Sequence, residues 1–315
     1  MRSHSREVRL CAAIVMFVTL FPGGLSGVAG AQDSNDTVRG FTIDQRFQGS
    51  SSSFGQILKL NTNLSYELGG HVGIDAGVPF YFVNDSPSGT TPSSGFRSGV
   101  GNVYTSLRLS FKGALNYTST ITGTAPTGDR DKGLSTGRAT VDWNNAVQKV
   151  IAHRVAPYAN LGLANTISDT PFFIRPFTST GLIGHIEAGT TVSISRLLYV
   201  GASGYSVLPS GKQTIVSKIV EIHTEPQPPR SLPANSRGRG VGLTKPQPDR
   251  VFETTREVVG TADLASDHGG SSWIGIGPIR GMDLTVGYSR SKRYGLNTVF
   301  WGIGKRFGPF GSRPR

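Results

Sequence analysis

The chain has 315 residues, of which 37% are apolar and 17% charged, with 42 Gly and 18 Pro. Gly is thus about 13% of the residues against a usual value of roughly 7%, and without a Gly-X-Y period this excludes collagen and argues against a helix-dominated fold. The apolar content excludes a disordered chain, while the excess of 32 Lys+Arg over 20 Asp+Glu, +12 in all, raises nucleic acid, membrane phosphate or an anionic solute as partners.

Residues 1–9 (MRSHSREVR) form a basic region, Leu10 to Phe21 an apolar run, and Ala29-Gly30-Ala31 a small-x-small sequence. That order predicts a signal peptide over 1–31, cleaved after Ala31, because the apolar run is short for a membrane anchor. Cleavage removes the single cysteine, Cys11, with three Arg and one Glu, which leaves +10. Beyond residue 31 no stretch approaches the roughly 18 apolar residues of a membrane helix. The exported chain is therefore either soluble beyond the inner membrane or inserted as a β-barrel. Freedom from cysteine fits the bacterial periplasm or outer membrane.

The remainder alternates with period 2, the periodicity of a strand. Leu58, Leu60, Leu64, Tyr66 and Leu68 oppose Lys59, Asn61, Asn63, Ser65 and Glu67. Val72 to Phe82 sets apolar even positions against His71, Gly73, Asp75 and Gly77. The same pattern recurs over 103–111, 139–147 and 282–288. Twelve strands are predicted, at 38–47, 55–68, 71–82, 102–111, 115–124, 139–150, 154–164, 180–195, 198–208, 272–278, 282–288 and 296–307. The facing of Tyr205 and Trp273 is ambiguous. Short turns at 69–70, 112–114, 151–153, 196–197 and 279–281 alternate with longer connections at 48–54, 83–101, 125–138, 165–179, 209–271 and 289–295. Sorting of connections by length is the signature of an outer-membrane barrel, with tight turns at the periplasmic end. A soluble β-sandwich also alternates, but it has no reason to sort its loops. The predicted fold is therefore all-β: a closed, antiparallel, up-and-down transmembrane barrel over 32–315. Phe41, Phe47, Phe80, Phe82, Phe111, Tyr117, Tyr199, Tyr288, Phe300 and Phe307, near strand ends, are expected to form aromatic girdles.

Ala125-Pro126-Thr127-Gly128-Asp129, Gly133-Leu134-Ser135-Thr136-Gly137 and Asp142-Trp143-Asn144-Asn145, with a Gly/aromatic close over 283–307, resemble the bacterial outer-membrane family associated with the meta-cleavage pathway of phenol degradation. The resemblance spans most of 38–307 and implies a transporter-like barrel. The 62-residue stretch 209–270, rich in Pro and charge, departs from that family's compact pattern.

If the apolar face meets lipid, the opposite face lines the lumen. That places Asp44, Arg46, Lys59, Asn61, Asn63, Glu67, Asp75, Arg108, Asp142, Asn144, His185, Glu187, Asp283 and Lys305 inside, as possible solute contacts. A Lys or Arg facing lipid at mid-depth costs about 2–4 kcal/mol. Inside, these groups make either a polar channel wall or a network that fills the interior, and twelve strands lie between plugged and open barrels. The expected function is passage of small solutes, hydrophobic or aromatic ones among them, by passive or facilitated diffusion. The alternatives are a structural or adhesive surface protein with an occluded barrel and, less favoured, a phospholipase. No His stands two residues from a Ser on one strand face, and no Gly-x-Ser-x-Gly elbow is present, so no catalytic residue is assigned. His185 and Glu187 share a strand face but are too few for a metal site, and no cofactor is expected. Loop 125–137 lacks the Gly-Lys-Ser/Thr ending of a phosphate-binding loop. Segment 209–270 reads as a lid, an inward constriction, an adhesive surface or, most simply, a solvated loop. The basic surplus lies at turns, loops and the tail, at Arg97, Lys112, Arg138, Arg175, Arg290 and Lys292 among others. There it would meet lipid phosphate or lipopolysaccharide rather than nucleic acid. The sequence leaves the oligomeric state open.

Overall fold

The computed structural model describes residues 40–85, 96–167, 169, 174–219 and 257–310. The predicted leader and its cleavage site lie outside them. The strands are β1 (Gly40–Ser52), β2 (Gly55–Gly69), β3 (Val72–Asp85), β4 (Phe96–Val100), β5 (Tyr104–Phe111), β6 (Asn116–Thr124) and β7 (Thr140–Gln148). They continue as β8 (Val155–Ala164), β9 (Phe177–Ser193), β10 (Leu198–Ser217), β11 (Glu257–Gly260), β12 (Asp267–Ile279), β13 (Met282–Ser291) and β14 (Asn297–Phe310). Each strand pairs antiparallel with its neighbours, and β14 returns to β1 to close the sheet. Closure leaves no edge in a solvent that cannot hydrogen-bond it.

Fourteen strands occupy twelve positions around the barrel. β3 pairs with β5 over Val72–Gly77 and with β4 over Phe80–Asn84, so β4 and β5 are one stave interrupted at 101–103. β10 likewise pairs with β12 over Leu198–Val207 and with β11 over Gln213–Val216. Several strands outrun their predicted ends. β1 runs on through Ser52, so the expected connection 48–54 shrinks to a turn at Ser53-Phe54. β10 absorbs 209–217, and the described parts of 209–270 also include β11 and the first turn of β12. Residues 220–256 lie outside the description.

The alternation places side chains as period 2 demands. On β2, Leu60, Leu64 and Leu68 are exposed on the outer face, while Ile57 and Ser65 are buried. Ile74, Leu107, Ile121, Val141, Leu161, Ile186, Ile274 and Val286 continue an exposed apolar belt around the barrel. A soluble monomer rarely exposes more than a few hundred Å² of contiguous apolar surface, so a belt of this extent calls for an apolar surrounding. Tyr205 and Trp273 both turn inward, the first bonded to Asp267 and the second buried beside Phe300.

The interior is not uniformly polar. At the end carrying the longer connections, two apolar clusters fill the barrel. One joins Ile167, Phe177, Ile183, Val207, Ile215, Leu264, Tyr294 and Leu296. The other joins Ile57, Tyr81, Val83, Leu134, Ile174 and Ile219. Ile167 and Ile174 belong to the connection from β8 to β9, whose described residues therefore turn into the barrel rather than away from it. Burying each such side chain contributes about 1.5–3 kcal/mol, enough in sum to hold the connection in place.

Two expected girdle aromatics are corrected by this packing. Phe300 is fully buried against Trp273, because its parity on β14 matches Thr298 and Gly302 on the inner face. Tyr199 also points inward, its hydroxyl 3.1 Å from Thr285 Oγ1. Phe41, Phe111 and Tyr288 remain exposed on the outside.

Candidate solute pathway

From the short-turn end upward, the lumen begins with a ring of ion pairs on β13, β14, β1, β2, β3 and β5. Arg46 bonds Asp283 at 2.9 Å, and Arg306 bonds Asp44 at 2.5 Å. Arg108 bridges Glu67 at 2.5 Å and Asp75 at 3.4 Å. The register explains the first pair: Arg46 and Asp283 both stand opposite Gly304 on the intervening strand. A Cβ on Gly304 would lie 2.3 Å from the Asp283 carboxylate, so only glycine lets the pair meet across β14. Asn61 donates to the Tyr104 hydroxyl, which donates to Asn63.

Lys305 departs from the expected inner set. It shares a face with Val299, Trp301 and Ile303, and its ammonium lies 5.3 Å from the Phe307 ring centroid. The inward residue is its neighbour, Arg306. A one-residue step exchanges faces in a strand, and a long Lys side chain near a strand end can carry its charge along apolar surface to the headgroups.

Above the ring, the wall of β6 to β9 carries threonines, amides and two carboxylates. Asp142 Oδ1 lies 3.0 Å from His185 Nε2, a contact that spans β8 at Gly162. A Cβ on Gly162 would meet the His185 ring at 2.3 Å. Glu187 accepts a hydrogen bond from the Tyr158 hydroxyl at 2.8 Å. These groups, with Thr120, Thr122, Asn144 and Asn160, line a chamber of about 330 Å³. A second chamber of about 280 Å³ adjoins it toward the long-connection end and shares Thr122, Asp142, Thr166, Ile167 and Asp169.

Asp169 closes the top of this path. Its carboxylate receives Lys59 Nζ and Lys218 Nζ, each at 2.9 Å, and the Tyr81 hydroxyl at 3.0 Å. The Arg175 backbone N–H donates to it as well. Burial alone would raise this carboxyl, but the attraction of Lys218 and Lys59 overcomes it and holds the group well below its ordinary value. Burial pulls the Lys218 ammonium down from the usual lysine value, against the counter-pull of Asp169. Ser50 Oγ accepts from the Ile174 N–H at 2.8 Å, so the connection is stitched to β1 too. Arg175, expected at a phosphate interface, is instead buried against Asp267 at 3.4 Å and over the Tyr205 ring. Its position beside the apolar Phe177 cluster turns it inward.

Sequence reasoning missed Asp169, Arg175, Lys218, Asp267 and Arg306 as lumen groups. Arg306 was available from strict parity along β14. The others lie in connections or at strand ends, where no period assigns a face. Of the histidines, His71 bonds the Ser110 carbonyl and His185 bonds Asp142. Among the described residues no group of three or more His, Cys, Asp or Glu could hold a metal.

No protein-family model matches the chain, and no curated protein matches it. Among solved structures, the fold is similar to an outer membrane channel from Pseudomonas putida F1, with a TM-score of 0.54 and 13% identity over 89% of this chain and all of that one. The NanC porin aligns over 84% of this chain and 99% of its own, at 6% identity and a TM-score of 0.44. The β-domain of the Bordetella autotransporter BrkA covers 86% and 99%, at 9% identity and a TM-score of 0.40. At such identities the likeness to the Pseudomonas channel concerns architecture, and it agrees with the pairing described above: this chain folds as a closed, twelve-position antiparallel β-barrel.

Proposed function

We propose that the chain is a bacterial outer-membrane channel for small solutes, held shut at its outer end by the connection between β8 and β9. One observation carries the reading: inside an apolar-belted barrel with a polar, charge-lined interior, Ile167, Asp169 and Ile174 of the β8–β9 connection are buried, and Asp169 ties them to the wall. A barrel that served only to fill itself would have no use for two solvent-sized chambers. The similar channel from Pseudomonas supports the same direction by architecture. The apolar belt supports insertion in the outer membrane, and the N-terminal sequence supports export by a cleaved leader.

The lining favours polar cargo. Threonines, amides and carboxylates reward solutes that hydrogen-bond, and aromatic compounds would find apolar contact only in the clusters at the mouth. The phenol-pathway resemblance stays a proposal about descent rather than about substrate.

The filled mouth favours a second reading, in which the barrel is a closed anchor for surface loops. Purified protein in a planar bilayer decides between them. The channel reading expects discrete conductance steps, sparse in the native chain and frequent when 168–173 is shortened or Asp169→Asn is introduced. Variants that insert but never conduct would leave the anchor reading standing.

A further inference from the structure

Lumen charges are unevenly matched. Among the described residues, Arg46, Lys59, Arg108, Arg175, Lys218 and Arg306 all pair with carboxylates: Asp283, Asp169, Glu67 with Asp75, Asp267, Asp169 and Asp44 respectively. Two lumen carboxylates remain that no Lys or Arg among the described residues reaches. Asp142 has only His185, and Glu187 has only the Tyr158 hydroxyl. Both face the larger chamber. The side chains of His185 and Asp142 keep 28% and 23% of their surface open, so the chamber admits solvent to them.

The one Arg on that wall, Arg175, is held by Asp267, and the rest of the wall adds acceptors rather than cations. Asn144 lines the chamber, and its Oδ1 is buried with no hydrogen-bond partner. A carboxylate bound to a single donor keeps free lone pairs, and a buried amide oxygen without a donor is costly to leave unmet. An ammonium group has three N–H donors and no acceptor, which suits a wall of this kind. Thr120, Thr122 and Asn160 can donate and accept, which suits hydroxyl groups on the remainder of a solute. Chambers of about 300 Å³ and above hold small ligands.

We propose that the chamber between β6 and β9 is a binding subsite for small solutes that carry a protonated amine together with hydroxyl groups, with Asp142 and Glu187 as the residues that set the preference for positive charge. It deepens the channel reading by naming a solute class, and it runs against the chain's basic net charge, because the one Arg that lines this wall, Arg175, is already paired with Asp267. Asp142 is positioned by His185, which reaches it only because position 162 is glycine. Glu187 is positioned by Tyr158.

Three solutes with the same six-carbon polyol chain isolate the charge: glucamine (an amine), sorbitol (neutral) and gluconate (an anion). Ligand-observed NMR titrations of the folded, detergent-solubilised full chain at pH 8 should give glucamine a dissociation constant about tenfold below that of sorbitol, about 1.4 kcal/mol. Gluconate should bind more weakly than either. Asp142→Asn combined with Glu187→Gln should bring glucamine to the level of sorbitol, and Glu187→Gln alone should narrow the gap. Asp129→Asn, which removes an exposed carboxylate in the connection from β6 to β7, should leave the preference intact. Heat-dependent gel mobility verifies that each variant is folded. Equal binding of the three solutes, a preference for gluconate, or a glucamine preference that survives the double variant would overturn the proposal. Binding is read without current, so a chain that prefers glucamine but never conducts sustains the subsite and sinks only the channel reading.

Discussion

Lys218 Nζ lies 2.9 Å from Asp169 Oδ1, joining the end of β10 to the connection that follows β8. The two residues are 49 apart in the chain. Lys59, from β2, reaches the other oxygen of the same carboxylate from 110 residues away. One acidic side chain thus ties Lys59 of β2, Tyr81 of β3 and Lys218 to the connection that follows β8.

Removing that tie should open the channel. Breaking a buried pair by deleting one partner costs about 3–5 kcal/mol, since the other charge is left unmet. Asp169→Asn strands two ammonium groups, so the blocking segment should leave its seat on the order of 100-fold more often, taking about 2.8 kcal/mol as acting on docking alone. Single-channel recording checks this through open probability. An unchanged open probability, in a barrel that still inserts, would show that the apolar contacts of Ile167 and Ile174 suffice.

Acid should act in the same direction. The groups facing Asp169 are Lys59, Lys218, the Tyr81 hydroxyl and the Arg175 N–H, and together they depress its carboxyl. A depressed carboxyl contributes its stabilisation above the ordinary value, about 3.9, and loses it as pH falls through the lower value of the docked state. Docking should therefore be flat from about pH 5 to 8 with respect to this group and weaken below about pH 4. Open probability against pH reads the effect, and the acid response should vanish in Asp169→Asn.

Gly162 and Gly123 make a matched pair for substitution. A Cβ at 162 would overlap the His185 ring and lie 2.8 Å from the Trp143 carbonyl oxygen, whereas one at 123 meets nothing within 4 Å. Gly162→Ala should lower stability by about 1–3 kcal/mol through displaced packing and should part His185 from Asp142. Gly123→Ala should stay within about 0.5 kcal/mol of the native chain. Urea unfolding from lipid vesicles measures both.

The two faces of β6 should answer oppositely to charge. Ile121 is exposed on the outer face between Leu107 and Trp143, and Ile121→Arg should cost about 2–4 kcal/mol if that position lies near mid-membrane. Thr120→Arg, one residue away on the chamber wall, should cost less than half as much because the lumen is wet. It should also weaken glucamine binding. Equal costs at the two positions would contradict a lipid-facing outer surface.

Strand number, alternation and the order of short and long connections were legible in residues 55–164 and 282–307, because a wall between lipid and a polar lumen must alternate at every step. Lumen groups on regular strands, such as Asp75, Arg108 and Asp142, followed from the same rule. Lys305 did not: Lys305-Arg306 offers two adjacent charges, and only strict parity from Val299, Trp301 and Ile303, matched by the register with Gln45 and Asp44, turns Arg306 inward. Nor did Phe300 or Tyr199, whose aromatic character fits a girdle and an interior equally well.

What the sequence by itself determined is the barrel, since period 2 is a local property that neighbouring residues carry between them. What only the tertiary structure decided is the placement of Ile167, Asp169, Ile174 and Arg175 and the charges around them. A connection has no period, and its direction depends on partners that chain folding brings from afar. Here those partners are Lys59, Lys218, Tyr81 and Ser50. The Gly excess that first argued against helices has the same double character. Its presence spoke for strands and turns, but the need for glycine at 162 and 304 appeared only when side chains from neighbouring strands met above them.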